Sequence, residues 1–148
     1  MNPRILLISF LFLSPSLIFS QSADETAVKT VIEAYGTAGG TQSWSDVAKT
    51  YWILDNNTIV YSSYMDGSFV EYTADQLKAS TGLPTDAPAT VQQSNHLIVI
   101  SGNAASITFD QVRTGAKGEK VFSHEMALLE KVDGNWKIHV YTIHRYIP

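Results

Sequence analysis

Leu129-Glu130-Lys131-Val132-Asp133-Gly134-Asn135-Trp136-Lys137-Ile138 reads as the end of one strand, a tight turn and the start of the next. Asp-Gly between two apolar, β-prone runs is a strong hairpin signal. The upstream run extends over Glu119 to Lys131 and the downstream run over Trp136 to Tyr146. Two further runs precede them, Thr90 to Ser101 and Ala104 to Thr114, with breaks at Gly102-Asn103 and Gly115-Ala116-Lys117-Gly118. Connections this short join antiparallel neighbours, so the C-terminal half predicts a four-stranded meander.

The preceding stretch changes period. Ser22-Ala23-Asp24-Glu25 forms a capping box, and Ala27, Val28, Val31, Ile32 and Tyr35 follow at helical spacing, with Gly36 as the expected stop. Ser43 or Ser45 can cap a second helix carrying Trp44, Val47, Ala48 and Tyr51 on one face. Thr58 to Tyr64, Asp66-Gly67 and Phe69 to Tyr72 predict a hairpin. Thr73-Ala74-Asp75-Gln76 is a second capping box, opening a short helix expected to end near Gly82, before Pro84 and Pro88. Helices first, then a hairpin, then a meander indicate an α+β domain: a curved antiparallel sheet wrapped over N-terminal helices, as a cone-shaped barrel.

The chain has 148 residues, which suits one domain. Residues 1–20 combine Arg4, the apolar run Ile5 to Leu13, Pro15 and a small residue at Ser20, the order of a signal peptide. Residues 21–148 then form the domain, and an exported location, periplasmic or extracellular, is expected. The run is too short to cross a bilayer, so no membrane association is expected after cleavage. There is no cysteine. A net charge of −4 with ten Lys plus Arg and no basic run leaves no footprint for nucleic acid.

The order of elements, with Ile100-Ser101-Gly102-Asn103-Ala104-Ala105 leading into Thr108-Phe109-Asp110-Gln111 and with Gly134-Asn135-Trp136-Lys137-Ile138, resembles the nuclear transport factor 2-like superfamily and its SnoaL-like domains. The resemblance spans residues 21–148. It implies a cystatin-like cone with a pocket and a homodimer through the outer sheet face. It leaves function open, because the superfamily includes isomerases, cyclases, dehydratases, assembly domains and binders.

Strand alternation assigns faces. With Trp136 and Ile138 inward, Val140, Thr142 and His144 follow them, and Tyr141, Ile143 and Arg145 face out. Met126 and Leu128 suggest that His124 also points inward, leaving Glu125, Ala127 and Leu129 outside. Ala105, Ile107, Phe109 and Gln111 read inward and Asp110 outward. One bulged residue would swap these assignments. The expected ligand-binding set is Tyr35, Tyr51, Trp52, Tyr61, Tyr64, Phe109, His124 and His144. His96 is expected at the surface or rim, and Ile143, Tyr141, Leu129 and Val112 supply the apolar outer face for a second copy. No metal-ligand spacing, phosphate loop or nucleophile elbow is present, so no metal or cofactor is expected. Three functions fit: a binder of a small, partly apolar ligand, an acid/base enzyme using pocket His and Tyr, and a structural or assembly module.

Overall fold

The computed structural model describes residues 22–38, 42–81 and 90–148. The expected signal peptide and the expected helix stop at Gly82 lie outside them. Among the described residues, three helices, α1 (Ala23–Ala38), α2 (Trp44–Tyr51) and α3 (Ala74–Ala79), accompany six strands. These are β1 (Ile59–Ser63), β2 (Phe69–Thr73), β3 (Thr90–Ser101), β4 (Ala104–Thr114), β5 (Lys120–Val132) and β6 (Asn135–Tyr146). They form one open sheet in the order β2-β1-β6-β5-β4-β3. The meander and the hairpin are antiparallel, but β1 runs parallel to β6, so the sheet is mixed and its edges stay apart.

The predicted caps form. Ser22 Oγ accepts from the Glu25 N–H at 3.1 Å while Glu25 accepts from the Ser22 N–H at 2.7 Å. Ser43, not Ser45, caps α2, and Thr73 and Gln76 form the second box. Gly36 does not end α1, which continues to Ala38. It occupies a close approach between the helix and Gln93 of β3.

One face of the sheet receives the helices. Val28 and Ile32 of α1 and Val47 and Ala48 of α2 pack with Ile107, Phe109, Ala127, Leu129, Trp136 and Ile138 in one buried cluster. Trp136 closes the end of this core near the start of α1. Its indole N–H donates to Asp24 at 3.1 Å, and Lys131 donates to the same carboxylate at 2.5 Å while lying over the indole ring.

Two β-bulges redirect side chains. In β5–β6 the pairing steps from Leu129↔Ile138 to Leu128↔Val140, so His139 is the extra residue. Alongside it, the chain leaving α2 pairs at Trp52↔Ile138, detours through a turn at Asp55 to Thr58, and resumes at Ile59↔Val140. His139 bridges the gap, its Nε2 3.0 Å from Asp55 and its Nδ1 3.1 Å from Glu130. In β3 a register shift falls between Ser94 and Leu97, with Asn95 at φ 55°. That shift turns His96 against the Phe109 ring, stacked at 5.6 Å, rather than leaving it on the rim.

Burial pulls the His139 pKa down, but hydrogen bonds to Asp55 and Glu130, backed by their charges, outweigh it and raise the value. A base with a raised folded pKa adds stability that is fully present below its unfolded value of about 6.5 and is lost as pH rises through the folded value. Asp55 is held below the usual carboxylate range by the Asn57 N–H and then by His139. His96 has the opposite sign, lowered by burial and then by Lys29. Comparing wild type with His139→Gln isolates the bulge. In urea melts the stability gap should be widest near about pH 6 and shrink toward about pH 8.5; a gap independent of pH would contradict this role.

Candidate functional site

Beyond Ile138, the bulge at His139 reverses the alternation of β6. Tyr141 is fully buried on the helix-covered face, and Ile143 and Arg145 follow it there, while His144 turns outward and is exposed. On β5 the buried residues are Ser123, Glu125, Ala127 and Leu129. The inward expectations for His124, His144, Val140 and Thr142 therefore fail, as do the outward ones for Glu125, Tyr141, Ile143 and Arg145. On β4 the expectation matches the structure, with Ala105, Ile107, Phe109 and Gln111 buried.

A cavity of about 300 Å³ lies between the helices and this face. Val60, Leu77, Trp44 and Ile143 give it apolar walls, Tyr35 reaches it from α1, and Tyr64 and Tyr72 stand at its exposed side. Ser62, Arg113 and Arg145 are its polar groups on the sheet. Arg145 donates to the Ser62 hydroxyl and, at 3.4 Å, to the Ser63 carbonyl, and its guanidinium sits 4.5 Å over the Tyr64 ring.

Beside the cavity runs a buried polar chain. Gln93 donates to Gln111 at 2.9 Å, and Gln111 donates to Glu125 at 2.6 Å. Ser123 adds a bond to the same Glu125 oxygen at 2.7 Å, and the Tyr141 hydroxyl donates to the other. Glu125 is only 4% exposed, and three donors converge on it, the bonding pattern that suits an acceptor-only carboxylate. Burial, reinforced by the charge of Glu125, raises the Tyr141 pKa well above the ordinary phenol value. Burial likewise raises Tyr35, with Arg113 opposing it. A tyrosine held protonated beside a carboxylate can donate a hydrogen bond or relay a proton. Glu125, however, is not among the side chains on the cavity wall.

The predicted ligand set divides three ways. Tyr35 and Tyr64 line the cavity. Tyr51 and Trp52 pack edge-on against Tyr35, and Phe109 packs edge-on against Tyr141, as part of the core. Tyr61, His124 and His144 lie on the outer face. His124 bonds to Asp110 through Nδ1 and stacks on Tyr146 at 4.6 Å, and His144 Nδ1 lies 2.8 Å from the Ser63 hydroxyl. His124 and His144, with Asn95, Thr108, Phe109 and Thr142, border a second hollow of about 310 Å³, and Tyr61 does not. The apolar outer face is also composed differently from expectation. Tyr141 and Leu129 are buried inside, whereas Leu97, Val99 and Leu128 are 66%, 57% and 41% exposed.

Arg113, Arg145, Ser62 and the inward Glu125 escaped the sequence reading. For Arg113 a signal was present, since alternation from Phe109 and Gln111 places it inward. For Arg145 and Tyr141 none was, because nothing in Trp136 to Tyr146 marks His139 as an extra residue.

No family model matches the sequence, and no curated protein matches it. Solved structures do match the fold. One is a candidate ketosteroid isomerase from Parabacteroides distasonis, with TM-score 0.66, 12% identity, and 86% of this chain and 91% of that one covered. A cystatin-like protein of unknown function from Nostoc punctiforme has TM-score 0.65, 11% identity, and coverage of 85% and 93%. An NTF2-like protein of unknown function from Shewanella baltica has TM-score 0.61, 17% identity, and coverage of 87% and 100%. The chain thus has the nuclear transport factor 2-like, cystatin-like fold, as the resemblance implied. Identities this low carry the fold and no activity.

Gly36 tests the polar chain. Alanine inside a helix normally stabilises by roughly 0.5–1 kcal/mol over glycine. Here a Cβ at position 36 would come within 2.7 Å of Gln93 Nε2 and 3.2 Å of Gln111 Oε1. Gln93 can swing away only by breaking its bond to Gln111, and leaving buried groups unpaired costs about 1–3 kcal/mol. Gly36→Ala should therefore lower stability by about 1 kcal/mol in denaturant melts; a gain would show that the chain is not held as described.

Proposed function

We propose that this protein is an exported domain that binds a small, partly apolar molecule in the cavity between its helices and its sheet. The observation that carries this reading is the cavity of about 300 Å³ with apolar and aromatic walls and a few polar groups on one side. That volume is at the small end of the roughly 300–1,000 Å³ typical of ligand pockets. Export rests on the order of residues 1–20, and the mass of the mature protein tests it.

A second reading, acid/base catalysis, draws on one feature: Tyr141 hydrogen-bonded to the buried Glu125 on the helix side. It requires the wall at Tyr35 to open so that a substrate reaches the pair. Glu125→Gln should leave ligand binding intact under both readings and abolish turnover of a carbonyl substrate only under this one.

We also propose that two copies associate through the outer sheet face. Leu97, Val99 and Leu128 all lie on that side and are exposed in the single chain, which suits a covered surface. Sedimentation showing a monomer at about tens of micromolar would remove this proposal.

The binding reading predicts that a thermal-shift screen of small aromatic and aliphatic molecules raises Tm for some of them. Leu77→Trp, which places a larger side chain at the cavity, should abolish those shifts while the circular dichroism stays unchanged. Shifts that survive the filling substitution, or none from any compound, would contradict it.

A further inference from the structure

Among the described residues that line the helix-side cavity, the formally charged ones are two arginines, Arg113 of β4 and Arg145 of β6. Their strands are separated by β5, whose inward Ser123 lies directly opposite Arg145. Arg145 is already engaged by Ser62, the Ser63 carbonyl and the Tyr64 ring, which fix its guanidinium in place. Arg113 is half-buried, and its guanidinium has no hydrogen bond or ion pair with any described residue. A guanidinium carries five donors in a planar fork, and holding it partly out of water with no acceptor is unfavourable. Two like charges facing one small space add mutual repulsion.

We infer that the ligand carries a carboxylate, received by Arg113 and Arg145, with its apolar body against Val60, Leu77 and Ile143. This rests on the binding reading above and names the class of molecule bound. Two arginines and no described carboxylate line the cavity, so its wall is cationic and suits an anionic group. The planar fork suits the planar carboxylate, and Arg145, already oriented by Ser62 and Tyr64, needs little further ordering to make the contact. The Tyr64 and Tyr72 rings supply an aromatic border at the exposed side, suited to an aromatic or unsaturated body.

The test uses matched pairs, benzoate, cinnamate and indole-3-acetate, each against its neutral amide. Tryptophan fluorescence reports binding, since Trp44 lines the cavity, and calorimetry confirms it. At least one acid should bind about tenfold or more tightly than its amide, with affinity falling as salt is added. Arg113→Gln should bring acid affinity down to that of the amide and leave amide affinity unchanged. Because the Arg113 guanidinium makes no bond within the described chain, this variant should fold with an unchanged or raised Tm. Arg145→Lys keeps the charge but loses the fork, and should weaken the acid without affecting the amide. Acids and amides binding equally well would overturn the carboxylate inference and leave the binding reading standing. No response from either class, together with an empty thermal-shift screen, would overturn both.

Discussion

A single extra residue in β6 determines which side chains line the helix-covered face. His139 is inserted between Ile138 and Val140, and a bulge of this kind shifts every later side chain to the opposite face. Before it, Trp136 and Ile138 fill the closed end of the core; after it, Tyr141, Ile143 and Arg145 take over the same face. The bulge is tied on both sides. Asp55, from the turn that interrupts the parallel pairing of the preceding chain with β6, meets one ring nitrogen, and Glu130 of β5 meets the other. Removing the insertion would restore unbroken alternation, bury His144 and expose Tyr141, leaving the Glu125 carboxylate without its tyrosine donor inside the protein.

That placement creates a graded interior. Toward Trp136 the space between helices and sheet is filled by Leu129, Ile138, Ala127 and the α1 side chains. Further along the strands, Tyr141, Glu125, Gln111, Ser123 and Gln93 form a hydrogen-bonded layer. Beyond that layer lies the open cavity with its two arginines. Apolar filling stabilises one end through burial. The bonds in the polar layer converge on Glu125, where a carboxylate stripped of donors would cost far more than a bonded one returns, while Gln93 Oε1 is buried without a partner among the described residues. Gly36 belongs to the same requirement: α1 must approach closely enough to leave room for no Cβ above Gln93.

Most of the fold was legible from local chemistry. Tight turns at Gly102-Asn103 and Asp133-Gly134-Asn135 leave little choice but antiparallel neighbours, and both capping boxes form as their residues suggest. The parallel pairing of β1 with β6 was not legible, because contacts between distant segments leave no period in either. The site was read less well, and the reasons are specific. Both faces of β5 carry apolar residues, Met126 and Leu128 on one and Ala127 and Leu129 on the other, so alternation could not choose between them. The wrong choice carried His124 inward and Glu125 outward together. On β6 the alternation was chosen correctly at Trp136 and lost three residues later, at a bulge whose cause lies in Asp55, far away in sequence. Phe109 and Tyr35 were placed inside correctly because a large aromatic next to small or aliphatic neighbours on β4 and α1 has one favourable side.

The inward placement of Tyr141 and Ile143 is the claim on which the cavity, the buried carboxylate network and the paired arginines all stand. The chain has no cysteine, so single cysteines can be introduced at positions 138, 141, 142 and 144 and their reaction with a bulky thiol reagent timed in dilute native protein. The account predicts slow reaction at 138 and 141 and fast reaction at 142 and 144, with the break in alternation falling at His139. Slow reaction at 138, 142 and 144 with fast reaction at 141 would mean an unbroken strand, and would contradict it.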